Sequence, residues 1–386
     1  MITPEIRHIK PGSPTSCCGC TACAAICPKN AITMQADSMG FLYPNVDKAL
    51  CTNCGLCTST CAFRANDKTS ASIEEQGVYG CRLKDENELK KSRSGGAAWA
   101  LITSFLRQEG VVYGVVCESV THVVHKRAVS IEECQAMRGS KYVQSDMRGV
   151  FPQVKADLQA GRRVLFTGTA CQVAGLLAYL PEKLHERLTT VDIVCHGVPS
   201  PAVWESYVKY VERKYAGQVV AADFRDKKYG WHSHNETFRL QDGRELMLAY
   251  FRQLFYAHRI LRPSCSVCPF TKFQRVSDIT VSDFWGWEKH HSEWNDDRGV
   301  SLMLVNTEKG ELLRKDTDLC FIASNREECL QPQLQAPAAI DWPRYERARH
   351  AFEKGGMEGL LQAEAMIGWP LLRQRIIWKI KSLIGK

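Results

Sequence analysis

Nine cysteines between residues 17 and 61 constrain this chain more than any other feature. Cys17, Cys20, Cys23 and Cys27 follow the spacing C-x2-C-x2-C-x3-C with Pro28 next, and Cys51, Cys54, Cys57 and Cys61 repeat it. Three thiolates two residues apart wrap one face of a cubane, while the fourth of each run reaches across to its neighbour. The spacing therefore assigns Cys17, Cys20, Cys23 and Cys61 to one 4Fe-4S cluster and Cys51, Cys54, Cys57 and Cys27 to another. A pair of zinc sites is the competing reading, and the interleaved spacing speaks against it. Cys18 is left over, a spare thiol able to replace Cys17. The N-terminal stretch MITPEIRHIKPGS has no apolar signal-like core, and no apolar run reaches the roughly 18 residues of a membrane span. A cytoplasmic protein is expected, in which 18 cysteines stay reduced and dense clusters mean metal or redox chemistry.

Residues 15 to 65 resemble the two-cluster bacterial ferredoxins. Between the runs, AITMQADSMGFLYPNVD reads as a strand, a glycine turn and a second strand, as such a module needs. Ala62 stands where a proline often follows the last cysteine. A chain of 386 residues, 45% hydrophobic, has room for two or three cores. The net charge of +8 is modest and gathers at the end, where residues 366–386 carry five Lys or Arg and no Asp or Glu. No stripe of basic and aromatic residues recurs elsewhere, so nucleic acid is not an expected partner.

Beyond the polar stretch NDKTSASIEEQG, strands and helices alternate. SGGAAWALITSFLRQEGVVYGVV predicts Ser94 as an N-cap, a helix from Ala97 to Gln108 and a strand from Val111 to Val116. Free N–H groups behind Gly95 and Gly96 suit a diphosphate, although Ser-Gly-Gly opens many ordinary helices. RRVLFTGTACQVAGLLAYL predicts a buried strand and a helix starting near Cys171, and TTVDIVCHGVPSP a strand delivering Cys195 and His196 to a turn. Ends of parallel strands form the ligand-binding edge of an open sheet. Cys265 and Cys268 add a C-x2-C loop, making four candidate ligands from three segments. Cys171 at a helix N-terminus is also a candidate nucleophile, and sequence chemistry alone leaves both readings open.

SGGAAWAL, RGSKYVQS, FTGTACQVAGL, VDIVCHGVPSP, FRDKKYGWH, SCSVC and SDITVSDFWG, in that order from Ser94 to Gly286, resemble the beta-subunit family of coenzyme F420 hydrogenase/dehydrogenase. The resemblance implies a flavoprotein with FAD and an adjacent 4Fe-4S cluster held by Cys171, Cys195, Cys265 and Cys268, and it makes the nucleophile reading of Cys171 recede. It places Ser94, Gly95 and Gly96 at the diphosphate and Ser140, Lys141 and Tyr142 near the cofactor. Lys141 is expected to supply charge to the reduced flavin. His196 is read either as a proton donor or as a residue that caps a turn. Lys227 and Trp231 are read as lining the substrate side of the ring, or in the case of Trp231 as core. HGVPS after Cys195 departs from the deazaflavin-using members, which leaves the substrate open.

The expected fold class is α+β to α/β, with a ferredoxin-type two-cluster module followed by a mixed α/β flavin-binding domain. The divisions expected are a ferredoxin domain over 1–68, a linker over 69–80, two parts of the flavin domain over 81–160 and 161–340, and a basic helical tail over 341–386. In that tail Leu372, Ile376, Ile380 and Leu383 recur at helical spacing after Pro370, a surface for its own domain, an anionic membrane or an acidic partner. The expected function is an iron-sulfur flavoprotein oxidoreductase passing electrons between a ferredoxin-like redox protein and a small organic substrate, with Lys141, His196 and Lys227 as catalytic candidates. A non-catalytic electron-transfer subunit is the alternative, and a homo-oligomer is expected.

Overall fold

The structure is a computed structural model that describes residue 9, residues 12–63 and residues 76–368. Most of the expected linker and all of the basic C-terminal repeat, Leu372 to Leu383, lie outside the described residues.

The N-terminal module is built on a hairpin, β1 (Ile32–Ala36) against β2 (Leu42–Val46), paired antiparallel from Ile32–Val46 to Ala36–Leu42. The turn needs Gly40, whose φ of +78° suits glycine. Two one-turn helices, α1 (Ala22–Ala25) and α2 (Leu56–Ser59), cover the hairpin.

The body is organised by an eight-stranded sheet. Its strands are β3 (Gly77–Leu83), β4 (Val111–Cys117), β5 (Val123–Ala128), β6 (Val164–Thr169), β7 (Leu188–Ile193), β11 (Ile279–Asp283), β12 (Ser301–Val305) and β13 (Leu319–Ala323), in the order β13-β3-β12-β11-β7-β6-β4-β5. A smaller antiparallel sheet holds β8 (Val219–Asp223), β9 (Glu236–Leu240) and β10 (Glu245–Leu248). The central strands β4, β6, β7 and β11 run parallel, and antiparallel strands flank them. Their β-branched runs are buried on both faces, as parallel strands under helices must be.

Helices α3 (Ala97–Arg107), α4 (Val150–Gln159) and α5 (Ala170–Tyr179) cover the large sheet. Helices α6 (Pro201–Tyr215), α7 (Tyr250–Tyr256) and α8 (Trp342–Ala363) form a second core with the small sheet, around Trp204, Tyr207 and Phe238. The described part of the expected tail thus packs on its own domain, through Ala348, Phe352 and Leu360. No helix of the described residues is long and apolar enough to cross a membrane.

Two details differ from the sequence reading. Residues 77–80, placed in the linker, are the start of β3 inside the sheet, because Val78 and Gly80 pair with β12. The two parts divided at residue 160 share one sheet, since β4 and β6 pair across that point. Helix α3 is capped by Gly96, not Ser94, because the Ser94 hydroxyl is turned away to donate to Val300 O at 2.8 Å.

Candidate functional site

The two cysteine runs fold alike. Gly19 and Asn53 occupy equivalent places with φ of +73° and +55°, and Thr21 and Gly55 follow with +69° and +79°. Each left-handed pair turns the chain so that three thiols face inward. Each short helix then serves both sites: α1 bears Cys23 and is followed by Cys27, and α2 bears Cys57 and is followed by Cys61.

The result is two cavities. One, of about 410 Å³, is lined by Cys17, Cys20, Cys23 and Cys61, and the other, of about 340 Å³, by Cys27, Cys51, Cys54 and Cys57. These are the two sets expected from the spacing. Backbone N–H groups point at the sulfurs, Ile9 N at Cys57 Sγ (3.2 Å), Ala31 N at Cys27 Sγ (3.3 Å) and Asn53 N at Cys51 Sγ (3.4 Å), the donors that stabilise clustered thiolates. Among the described residues no three His, Cys, Asp or Glu side chains converge on one metal-ion position. The thiols surround space instead, which suits a cubane with iron at its corners.

A third cavity, of about 520 Å³, opens at the C-terminal ends of β6 and β7 and is lined by Cys171, Cys195, Cys265 and Cys268. Strand β6 ends at Thr169, whose side chain pairs with Gln172 in a capping box, fixing the helix start that carries Cys171. Strand β7 delivers Cys195, and the 3-10 turn Pro263–Val267 brings Cys265 and Cys268. Burial pushes the Cys195, Cys265 and Cys268 thiols up to about 12, so the set is neutral until a cation compensates it. Burial and the neighbouring Cys18 hold Cys171 well above the ordinary thiol range as well, the opposite of an activated nucleophile.

Cys18, unassigned by spacing, is buried between cavities and lines both the first and the third, as does Phe63. The second cavity shares no lining residue with the third. Its Cys54 is solvent-exposed. The module is pinned to the body: Thr21 Oγ1 donates to Met147 O, Ala202 N donates to Met39 O, and Gly175 of α5 lies so close to Cys20 that a Cβ there would be 2.7 Å from its sulfur.

The residues expected at the flavin also converge, with different details. Gly95 and Gly96 are demanded by packing: a Cβ on Gly95 would lie 2.1 Å from Cys81 O, and one on Gly96 2.2 Å from the Leu83 side chain. Several buried cations surround them. Lys227 Nζ donates to Ser94 O (3.3 Å) and Leu89 O (3.0 Å), and burial, with Arg82 and Arg93 nearby, pushes it down to about 8. Arg93 is depressed by burial, and Lys141, which donates to Ala136 O and Arg138 O, is likewise pushed down to about 8. Arg93 is ion-paired with Asp223 and Arg82 with Asp296, whereas Lys227 and Lys141 donate to carbonyl oxygens, so it is these two lysines that an anion alongside would favour. The first N–H groups of α3 in the same place have no side-chain cap. Ser140 is exposed, and Tyr142 packs on His234 and Phe255.

His196 bridges the third cavity and these rings. Its Nε2 meets His258 Nε2 at 2.9 Å, its Nδ1 accepts from Gln333 Nε2 at 2.7 Å, and it packs on Phe255. Burial and His258 push it down to about 4, so it is a neutral, hydrogen-bonded imidazole at neutral pH. Trp231 is buried and stacks on Trp285, with its indole N–H on Asp283. Sequence reasoning missed Arg262, Gln144, Arg93 and the buried Arg275–Asp192 pair. Only Arg262 left a sequence signal, a basic residue three positions before the C-x2-C loop.

Comparison with known proteins gives two family matches. Residues 161–318 match the C terminus of the coenzyme F420 hydrogenase/dehydrogenase beta subunit, and residues 16–65 match the 4Fe-4S dicluster domain. Among solved structures, a chain in the F420-reducing [NiFe] hydrogenase complex from Methanosarcina barkeri aligns over 76% of this chain and 91% of its own, at 17% identity and a TM-score of 0.45. No curated protein matches the sequence significantly.

Proposed function

Because residues 161–318 carry the C-terminal domain of the coenzyme F420 hydrogenase/dehydrogenase beta-subunit family and residues 16–65 a 4Fe-4S dicluster domain, we propose that the chain is an iron-sulfur flavoprotein oxidoreductase with three clusters in series. One observation carries this reading: three four-cysteine cavities run from an exposed face to the carboxyl edge of a parallel sheet, and the inner two share Cys18 and Phe63.

Electrons from a small redox protein enter at the second cavity, where Cys54 is exposed and Leu56 offers an apolar contact. They move to the first cavity across the buried side chains of Cys23, Ile32 and Cys57 that separate the two. From there Cys18 and Phe63 connect to the third. FAD, when bound, supplies the exchange between one-electron donors and a two-electron organic substrate.

This chain's own residues would hold it. Arg93, Lys227 and the uncapped start of α3 face the diphosphate, while Lys141 contributes charge nearby. His196 and the rings of Phe255 and Tyr142 fill the ground between the third cavity and that charge. The neutral His196 orients this layer through Gln333 and His258.

Anaerobic purification followed by metal and flavin analysis tests the reading. About twelve irons and twelve sulfides per chain with one FAD are expected, four irons for each cysteine set. Eight irons would leave the third cavity unloaded and remove the proposed link. Iron without flavin would favour a chain that only transfers electrons for a partner enzyme.

A further inference from the structure

Arg262 lies at the seam between the module and the body with 0% of its surface exposed. Its Nε donates to Cys17 O at 2.8 Å, Nη1 to Gln144 Oε1 at 2.9 Å, and Nη2 to Leu42 O at 2.8 Å. Nη2 also reaches Cys17 Sγ at 3.8 Å. The guanidinium sits over the rings of Tyr43 and Phe41, 4.4 and 5.3 Å from their centroids. Among the described residues no carboxylate forms an ion pair with it; its hydrogen bonds go to carbonyl oxygens and one sulfur.

A fully buried cation bonded to neutral acceptors carries a desolvation cost that such bonds offset only in part. Asp37 lies within electrostatic reach but makes no direct ion pair with it, and the place of a closer counter-charge is marked. Cys17 is a ligand of the first cavity, and Arg262 also lines the third. A cubane held by four thiolates is a net anion, more so after reduction. Gly19 shows how closely the two are fitted: a Cβ there would lie 2.8 Å from Nη1. Among the described residues neither the first nor the second cavity is itself lined by an arginine; Arg262 reaches the first through its contacts with Cys17, and no arginine contact of that kind is seen at the second.

We propose that Arg262 is the counter-ion of the first cluster and holds its reduction potential up, so that an electron arriving from the second cluster is drawn inward. One electron leaves the second cluster and one enters the first; no bond or proton changes hands. A buried positive charge with N–H donors on the ligand sulfur favours the reduced, more negative cluster. The inference rests on the reading that Cys17, Cys20, Cys23 and Cys61 hold a 4Fe-4S cluster.

The test is an EPR-monitored redox titration of full-length protein and its Arg262 variants, with signals assigned by comparison with Cys54→Ala and Cys265→Ala. In Arg262→Gln the first cluster should become at least tenfold harder to reduce, about 59 mV for one electron, while the second keeps its potential. Arg262→Lys, which restores the charge, should recover most of the shift. A Gln variant with its full iron content and the parent potential overturns the proposal. If the Gln variant loses the first cluster, the Lys variant decides: a retained cluster near the parent potential supports the counter-ion, and loss from both makes Arg262 a structural pin. Absence of iron from the parent protein would instead overturn the underlying cluster reading.

Discussion

The two cysteine runs have one spacing and one backbone path, yet they end in different surroundings. Gly19 and Asn53 share a left-handed turn, and so do Thr21 and Gly55, but the first run is pressed against α5 and Arg262 while the second leaves Cys54 in solvent. Spacing thus settles what a run can hold, and docking settles where in a chain of carriers it stands. The third set, from three segments of the body, makes the same point from the other side. No local spacing unites Cys171, Cys195 and Cys265; the parallel ends of β6 and β7 bring the first two together and the turn Pro263–Val267 adds the third.

The largest effect expected from breaking this arrangement is at its inner end. Cys265→Ala should lower iron from about twelve to about eight per chain and abolish flavin reduction by a one-electron protein donor. Stopped-flow at the flavin absorbance band checks this, once folding and FAD content are shown to be intact. Transfer at the parent rate would take the third cluster off the path, and the first would then have to feed the flavin directly.

At the outer end Cys54→Ala should slow the protein donor by tenfold or more, in rough terms, because an exposed carrier is removed while the inner two remain. A small two-electron reductant that reaches the flavin directly should still work at the parent rate. Equal loss with both reductants would mean that Cys54 supports the fold rather than the outer relay.

The proposed flavin site gives a smaller, pH-dependent effect that separates body from module. Lys227 and Lys141 are pushed down to about 8 in the free protein, and an anion beside them favours their charged forms. Binding then takes up protons. FAD affinity should be fully present below pH 8 and fall as pH rises through it, by up to about tenfold per unit for each lysine until the pKa of the complex is passed. Flavin fluorescence titrations from pH 7 to about 9.5 measure it, and Lys227→Gln should flatten the profile. A flat profile in the parent would remove these lysines from the diphosphate.

Much of this was legible in the sequence, for physical reasons. Ligands of the first two sites are local, so spacing alone paired Cys27 with the second run and Cys61 with the first. Strands β6 and β7 announced themselves by apolar and β-branched runs that end two residues before Cys171 and Cys195. What sequence could not show is tertiary. Arg262 is 245 positions from Cys17, and its role appears only when the module docks. Gly95 and Gly96 also serve the packing against β3 and β12, a demand that no sequence pattern distinguishes from a phosphate loop. His196 read as a proton donor or a turn cap, and only the fold shows that burial and His258 keep it neutral.

The sharpest and smallest test returns to the matched pair. Alanine at Asn53 or Gly19 must adopt a left-handed backbone, costing roughly 1–2 kcal/mol at either site. If spacing alone governed the runs, the two substitutions would lower stability about equally and leave both potentials unchanged. Docking makes them unequal. At Gly19 the new methyl would meet the Arg262 guanidinium at 2.8 Å and Gln144 Nε2 at 3.1 Å, so the cation has to move off Cys17. Gly19→Ala should therefore lower the melting temperature and also shift the first cluster's potential downward, in the direction of Arg262→Gln. Asn53→Ala should leave the first cluster's potential unchanged. Thermal unfolding of the iron-loaded proteins, followed by the same EPR titration, compares them. Equal melting shifts with unchanged potentials would mean that the seam at Arg262 relaxes around an added methyl, and that the inner and outer runs differ in exposure alone.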